Sequence, residues 1–229
     1  NLLFSCGFRS GAGLLTSILN ANKEVSICID ILKYWNFCHS RYPDTNRNTL
    51  SNMLEELNSR LSVRFSITLD INRILEKAGD IITHPNIYRL ILQQVYCMDR
   101  DSRILGECEG LTWSKIPYYL DNISNSKAML IIRDPRDVLV SFKKNTIAPD
   151  PDYLVAVFNC LGMMQSALEY SRVYKDRFMC LRFEDLKAQP KEVVQAACQF
   201  LGITYNEEML NPLNWKKLGH KKWVPWENH

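Results

Sequence analysis

The first residues that could do chemistry lie in the segment 7–13, which holds three glycines together with Arg9 and Ser10. This segment follows the short apolar run Leu2–Phe4 and precedes apolar residues at helical spacing, namely Leu14, Leu15, Ile18 and Leu19. Such a loop points backbone N–H groups and the positive end of a helix at one spot, which suits a phosphate. We therefore predict an anion-binding loop, with a turn that only joins strand to helix as the alternative.

A second basic group follows another apolar run. The segment Ala128–Ile132 is typical of a central strand in a parallel sheet, and Arg133 comes directly after it. Asp134 suits the N-cap and Pro135 the first position of a helix, on which Ser141 follows. Because an arginine fork and a hydroxyl both suit phosphate oxygens, this second strand-to-helix junction predicts a second phosphate site.

Strands and helices alternate over most of the chain. Further strands are predicted at Arg103–Glu107 and Phe178–Leu181, and Val25–Leu32 is an apolar run interrupted by one carboxylate, Asp30. The pattern predicts an α/β fold, one domain over residues 1–229, with a central parallel sheet flanked by helices on both faces, like that of P-loop nucleotide kinases. Both basic junctions then lie at the carboxyl edge of the sheet.

The longest predicted helix spans Tyr153–Tyr174. Its large apolar side chains are expected to pack across the sheet. These side chains are Leu154, Val157, Phe158, Leu161 and the apolar residues from Met164 to Leu168.

Composition and charge limit the possible partners. A net charge of +3 on 229 residues, without a long basic tract, gives no argument for nucleic acid. The eight cysteines include no C-x-x-C pair, which favours a reducing, cytoplasmic compartment, and the four histidines have no zinc-ligand spacing. No apolar run has membrane-spanning length, although the possibility of a membrane anchor upstream of the first motif stays open.

Three segments in order carry a resemblance to a known family. These segments are similar to the phosphate-binding and later segments of sulfotransferases that use 3′-phosphoadenosine 5′-phosphosulfate (PAPS). They are Phe8-Arg9-Ser10-Gly11-Ala12-Gly13-Leu14, the stretch 132–141 with Arg133 and Ser141, and Arg182–Leu186 followed by Phe200-Leu201-Gly202. The resemblance implies transfer of a sulfuryl group to a hydroxyl or amine, release of adenosine 3′,5′-bisphosphate, and no metal. It also implies a set of cofactor-binding residues: Arg9, Ser10, Gly11, Ala12, Gly13, Leu14, Arg133, Ser141 and Phe183.

The chain departs from the family pattern at several positions. The two threonines usual in the first loop are Ala12 and Gly13, so two hydroxyl donors are missing, and the tyrosine before Glu-Asp is Phe183. Cys108 stands where many relatives have a lysine. The loop must therefore hold its phosphate mainly through backbone N–H groups and Arg9, which is also expected to stabilise charge that develops on the transferring group.

Transfer to a hydroxyl needs a general base. Some relatives have a glutamate twenty-one residues beyond the loop arginine, and that spacing leads from Arg9 to Asp30, our first candidate. Glu107, at the end of a predicted strand, is the second candidate, with Glu109 close behind. The histidines His39 and His84 are expected to be surface or loop residues.

The acceptor is expected to be a small molecule rather than a long polyanion. The region 33–98 is predicted to shape its pocket, with aromatic residues that include Tyr34, Trp35, Phe37 and Tyr42. The basic, tryptophan-containing segment after Asn211 is interpreted as a cover over the nucleotide or as a surface tail. A P-loop kinase and a degenerate fold that binds nucleotide without turnover are the alternatives, and the oligomeric state stays open.

Overall fold

A computed structural model describes residues 2–7, 9–44, 46–80, 82–96, 102–145 and 153–215. Five parallel strands form one sheet in the order β2-β3-β1-β4-β5. They are β1 (Leu2–Cys6), β2 (Val25–Ile29), β3 (Ile104–Gly110), β4 (Lys127–Ile132) and β5 (Phe178–Arg182). The predicted parallel α/β fold is confirmed, and the carboxyl ends of all five strands meet at one edge.

Helices connect the strands. After β1 comes α1 (Ala12–Asn20), and between β2 and β3 lie a π-helical turn (Tyr34–Cys38), α2 (His39–Arg41), α3 (Arg47–Phe65), α4 (Ile71–Ala78) and α5 (His84–Tyr96). A 3₁₀ turn (Trp113–Lys115) and α6 (Ile116–Asn122) lead to β4, and α7 (Pro135–Asn145) and α8 (Tyr153–Val173) lead to β5. The chain continues with α9 (Phe183–Ala188), α10 (Pro190–Leu201) and the 3₁₀ turns Glu207–Leu210 and Pro212–Asn214.

A hydrophobic core lies on each face of the sheet. In β4, Ala128 and Leu130 face a core that contains the region between β2 and β3, whereas Met129 and Ile131 face the core of α1 and α10. Successive residues of a strand point to opposite faces, so an uninterrupted apolar run such as β4 must be covered on both. On this second face, Gly202 ends α10 with φ 74°, in the left-handed region that favours glycine.

The face that α8 buries differs from the prediction. Its large apolar residues Leu154, Phe158 and Leu168 are about two-thirds exposed, whereas Ala156, Cys160, Met163 and Ala167 are buried. A Cβ built on Gly162 would lie 2.9 Å from Trp113 Cη2, so α8 approaches its neighbour closely there. The face of α8 that packs on the core therefore carries Gly162 and small residues together with Met163 and Tyr170, while the large side chains on its other faces stay exposed.

Strand β3 is longer than the sequence predicts. The predicted segment ended at Glu107, but the strand continues to Gly110 and carries Glu107 and Glu109 inside the sheet, both fully buried. Glu107 therefore does not lie at the strand end where the sequence placed it. The two carboxylates had marked the end of the strand in the sequence because buried charges are rare unless they have partners.

Candidate active site

The loop after β1 is built by close packing around its glycines. Gly11 has φ 91°, and a Cβ at this position would lie 2.1 Å from Phe183 Cδ2, so the loop rests against the first residue of α9. A Cβ on Gly7 would lie 2.2 Å from Met163 Cε of α8. The loop thus needs glycine both for its left-handed turn and for its contacts with two helices.

The same loop directs backbone donors toward the carboxyl edge of the sheet. Leu15 N–H donates to Gly11 O, so the amides of Ala12, Gly13 and Leu14 belong to the first helical turn, which has no intrahelical acceptors. The hydroxyl of the buried Ser10 donates to Gly7 O at 3.0 Å and so braces the loop. These amides and the positive end of α1 favour an anion.

The junction after β4 has the local structure that its sequence predicts. Pro135 is the first residue of α7, and Asp134 Oδ1 accepts the backbone N–H of Arg136 at 2.9 Å. Hydrogen bonds from Arg136 hold the pKa of the partly buried Asp134 carboxyl down at about 2. The side chain of Arg133 is held separately, with its Cζ 4.5 Å from the ring centroid of Phe183.

Direct contacts join the two junctions. Arg133 Nη1 donates to Arg9 O at 3.0 Å, and Arg9 Nε donates to Ser141 Oγ at 3.0 Å. Arg133 also lies 3.6 Å from Asp137, while its buried Nε atom has no hydrogen-bond partner. The structure therefore brings together Arg9, Arg133, Ser141 and Phe183, four of the residues predicted to bind the cofactor.

Asp30 lies at the same edge, directly after β2. Its backbone N–H donates to Cys108 O at 2.9 Å, and its Oδ1 accepts Gly110 N–H at 3.4 Å. The Asp30 side chain is 44% exposed and lies 3.9 Å from Lys33 Nζ. Since β2 is two strands away from β1 in the sheet, about 10 Å separates Asp30 from the loop that carries Arg9.

The other two carboxylate candidates have a different environment. Glu107 accepts the backbone N–H groups of Lys33 at 2.6 Å and Tyr34 at 3.4 Å, and Glu109 accepts those of Asn36 at 2.9 Å and Trp35 at 3.3 Å. Burial raises the pKa of Glu107 to about 7, and burial followed by the charge of Glu107 raises that of Glu109. Asp30 alone among the three presents its carboxyl group to solvent.

The aromatic residues expected in an acceptor pocket belong in part to the core. Tyr34 and Trp35 are fully buried, and Tyr34 shares a hydrogen bond of 2.9 Å with Nδ1 of His84. His84 is only 4% exposed, so its expected surface position is wrong, and burial lowers its pKa. No pattern in the sequence signals this contact, because Tyr34 and His84 are fifty residues apart and neither belongs to a motif.

Cys108, which stands in place of a family lysine, is buried on the opposite face of β3 from the two glutamates, with its sulfur 3.9 Å from that of Cys6. No disulfide joins any of the seven cysteines that the structure describes.

Among the described residues, no group of three or more His, Cys, Asp or Glu side chains is placed to hold a metal ion, and no helix there has the length and apolarity to cross a membrane. Phe8 and the basic segment 216–229 lie outside the described residues.

Comparisons with known proteins agree with the motifs. A family model described as "Sulfotransferase domain" matches residues 111–218, a range that contains Arg133, Ser141 and Phe183. No curated protein sequence matches the chain significantly.

Several solved structures have the same fold. The sulfotransferase domain of the Synechococcus PCC 7002 olefin synthase is 20% identical, covers 100% of this chain and 82% of its own, and gives a TM-score of 0.65. The sulfotransferase domain from the curacin biosynthetic pathway is 19% identical over 92% of this chain and 76% of its own, with a TM-score of 0.57. A mouse sulfotransferase complexed with PAP is 13% identical over 93% of this chain and 62% of its own, with a TM-score of 0.50.

Proposed function

We propose that this chain is a sulfotransferase that transfers a sulfuryl group from PAPS to a hydroxyl or amine of a small-molecule acceptor, a proposal that the match of its residues 111–218 to the sulfotransferase domain model supports. The observation that carries this proposal is the direct contact between the two strand-to-helix junctions. Arg9 and Ser141 share one hydrogen bond, and Arg133 donates to the backbone of Arg9. A donor carrying two separated phosphate groups would be recognised by two such junctions at once.

The residues present fit an anionic cofactor. Two guanidinium groups, one hydroxyl and the first-turn amides of α1 converge at the carboxyl edge, and the unpartnered Nε of Arg133 is a donor that an anion could use. We assign Arg133 and Ser141 to the 3′-phosphate, and Arg9, Ser10 and the amides of residues 11–14 to the 5′-phosphosulfate. The assignment of Ser10 is to its backbone N–H, since its hydroxyl donates within the loop.

When bound, PAPS would supply the activated sulfuryl group. The chain's part is to bind the phosphates, to offset negative charge and to accept a proton. Arg9 and the loop amides would stabilise the charge that develops on the leaving phosphate oxygens, a role worth about 3 kcal/mol for one well-placed donor.

Asp30 is the proposed general base. It would accept the proton of the acceptor hydroxyl as the oxygen attacks, because its carboxyl group is half-exposed at the sheet edge. Glu107 and Glu109 are fully buried and their oxygens accept backbone amides, which supports Asp30 over both. Strand β3 lies between β2 and β1, so Asp30 and the Arg9 loop stand about 10 Å apart at the sheet edge, a distance that the acceptor group and the transferring sulfuryl would together span.

The test is sulfate transfer from labelled PAPS to a panel of phenols, alcohols and amines. Wild-type protein is expected to label at least one acceptor, Asp30→Asn to lose about 100-fold or more in kcat, and Arg9→Ala to lose more in kcat than in affinity for adenosine 3′,5′-bisphosphate. Binding of the bisphosphate without transfer to any acceptor would favour the non-catalytic alternative. Absence of both binding and transfer would refute the proposal.

A further inference from the structure

The turn that presents Asp30 has an unusual backbone. Asp30 has φ 51° and Lys33 has φ 47°, so two residues other than glycine take the left-handed conformation within four positions. Such conformations are costly and persist where the surroundings enforce them. The π-helical turn Tyr34–Cys38 begins directly after this segment and has no side-chain cap of its own.

Two carboxylates of the neighbouring strand supply the missing cap. Glu107 accepts the amides of Lys33 and Tyr34, and Glu109 accepts those of Trp35 and Asn36. These are four successive N–H groups at the start of a helical segment, the set that normally has no intrahelical partner. Both side chains are fully buried, so they have no alternative partner in bulk solvent.

Asp30 is hydrogen-bonded to the same strand, β3, at Cys108, which lies between the two glutamates, and at Gly110, which follows them. Its amide donates to Cys108 O, and its carboxylate accepts Gly110 N–H. Arg60 fastens the turn from the other side, because its Nη2 donates to Leu32 O while its Cζ lies 4.6 Å from the centroid of the Phe37 ring. Only two residues separate Asp30 from the first amide that Glu107 holds.

We propose that Glu107 and Glu109 are positioning residues for Asp30, and that their carboxylates fix the turn of residues 30–36 so that the Asp30 side chain faces the sheet edge. The proposal rests on the proposed function in which Asp30 is the base. Burying two carboxylates is expensive unless each is fully hydrogen-bonded, and here every one of their four oxygens accepts a backbone N–H. The result is a turn whose amides cannot shift without leaving a buried carboxyl oxygen without its hydrogen-bond partner.

The central experiment is a double-mutant cycle. Glu107→Gln keeps the size of the side chain but replaces one acceptor oxygen with a donor that faces a backbone N–H. We expect kcat to fall about 10–100-fold while the affinity for adenosine 3′,5′-bisphosphate and the KM for PAPS stay within about twofold. In an Asp30→Asn background the same substitution is expected to cost less than about twofold, since Glu107 acts through Asp30.

Matched variants distinguish a loss of Asp30 positioning from a general loss of stability. Glu55→Gln makes the same chemical change on the exposed surface of α3 and is expected to leave kcat unchanged. If Glu107→Gln does not fold, Glu109→Gln and Arg60→Met test the same turn from its other contacts. An equal loss of kcat in the wild-type and Asp30→Asn backgrounds would overturn the proposal.

Amide hydrogen exchange gives a result that does not depend on activity. Peptides covering residues 30–38 are expected to exchange about tenfold or more faster in Glu107→Gln and Glu109→Gln than in the wild type, with α10 unchanged. If the wild type transfers no sulfate but the variants show this local increase, the proposed function fails and the anchoring of the turn stands. If exchange in this segment does not change, the positioning proposal fails whether or not the enzyme is active.

Discussion

Replacement of Arg133 by alanine tests the shared phosphate site most directly. The Arg133 side chain is 19% exposed, donates to Arg9 O, and stacks on Phe183, so it is fixed before any ligand binds. A charge-assisted hydrogen bond to phosphate contributes about 1.5–3 kcal/mol, which predicts a loss of roughly 10–100-fold in affinity for adenosine 3′,5′-bisphosphate. Preorganisation argues for the upper part of that range.

The measurement is the ligand-induced shift in thermal unfolding. At a ligand concentration of 100 times its Kd, the wild type gains about 2.7 kcal/mol, which corresponds to a Tm increase of roughly 5–10 °C for a domain of this size. At the same concentration the variant is expected to gain only about 0.4–1.4 kcal/mol, or roughly 1–5 °C. Shifts and not absolute Tm values must be compared, because the substitution also removes the contacts with Arg9 and Phe183.

Arg136→Ala is the matched control. It removes the same charge three residues away, from a side chain that is 89% exposed and paired with Asp134. Its ligand-induced shift is expected to equal that of the wild type. If the Arg136 variant loses the shift while the Arg133 variant keeps it, the placement of the phosphate site is refuted, and if both lose it equally the effect is one of net charge alone.

Three further predictions concern the loop, α8 and the buried carboxylates. A Cβ at Gly13 would meet no atom within 4 Å, so Gly13→Thr is expected to tighten bisphosphate binding about fivefold through its added hydroxyl, and an equal gain in Gly13→Val would contradict that reason. Met163→Ala is expected to lower the free energy of unfolding by about 2–4 kcal/mol and Phe158→Ser by less than about 0.5 kcal/mol in urea denaturation, whereas the reverse order would show that α8 buries its other face. Burial raises the pKa of Glu107 from 4.5 to about 7, so the stabilisation from its retained proton is complete below pH 4.5 and is lost as the pH rises through 7. Between pH 4.5 and 8 the free energy of unfolding of the wild type is therefore expected to fall by on the order of 3 kcal/mol more than that of Glu107→Gln. Parallel curves of unfolding free energy against pH for the two proteins would contradict this.

The junctions could be predicted from the sequence because their signals are local. The apolar run of β4, the cap at Asp134 and the proline at position 135 together specify where a strand ends and a helix begins, and the structure has α7 beginning at Pro135. The order of these segments also suggested a family. Their direct contact through Arg9 and Ser141, 132 residues apart, could be expected only after a parallel sheet had been inferred.

The buried face of α8 could not be predicted in the same way. This helix carries apolar residues all around its axis, so periodicity does not distinguish a core face from an exposed one. The decision is made by close contacts with other segments, Met163 against Gly7 and Gly162 against Trp113. Those contacts depend on shapes that are brought together only in the folded chain.

The glutamates of β3 show why a polar residue in a strand can mislead a reading of the sequence. A helical segment is usually capped by a nearby side chain, but the residue before the π-helical turn is Lys33, whose ammonium group cannot accept an N–H. The acceptors come instead from Glu107 and Glu109, 73 or 74 residues later in the chain. Because the cap is supplied from the adjacent strand, the side chains of Asp30 and Lys33 remain at the sheet edge, each about half exposed. The groups that fix the turn are therefore buried in the core, while the carboxyl group of the proposed base, Asp30, stays accessible to an acceptor.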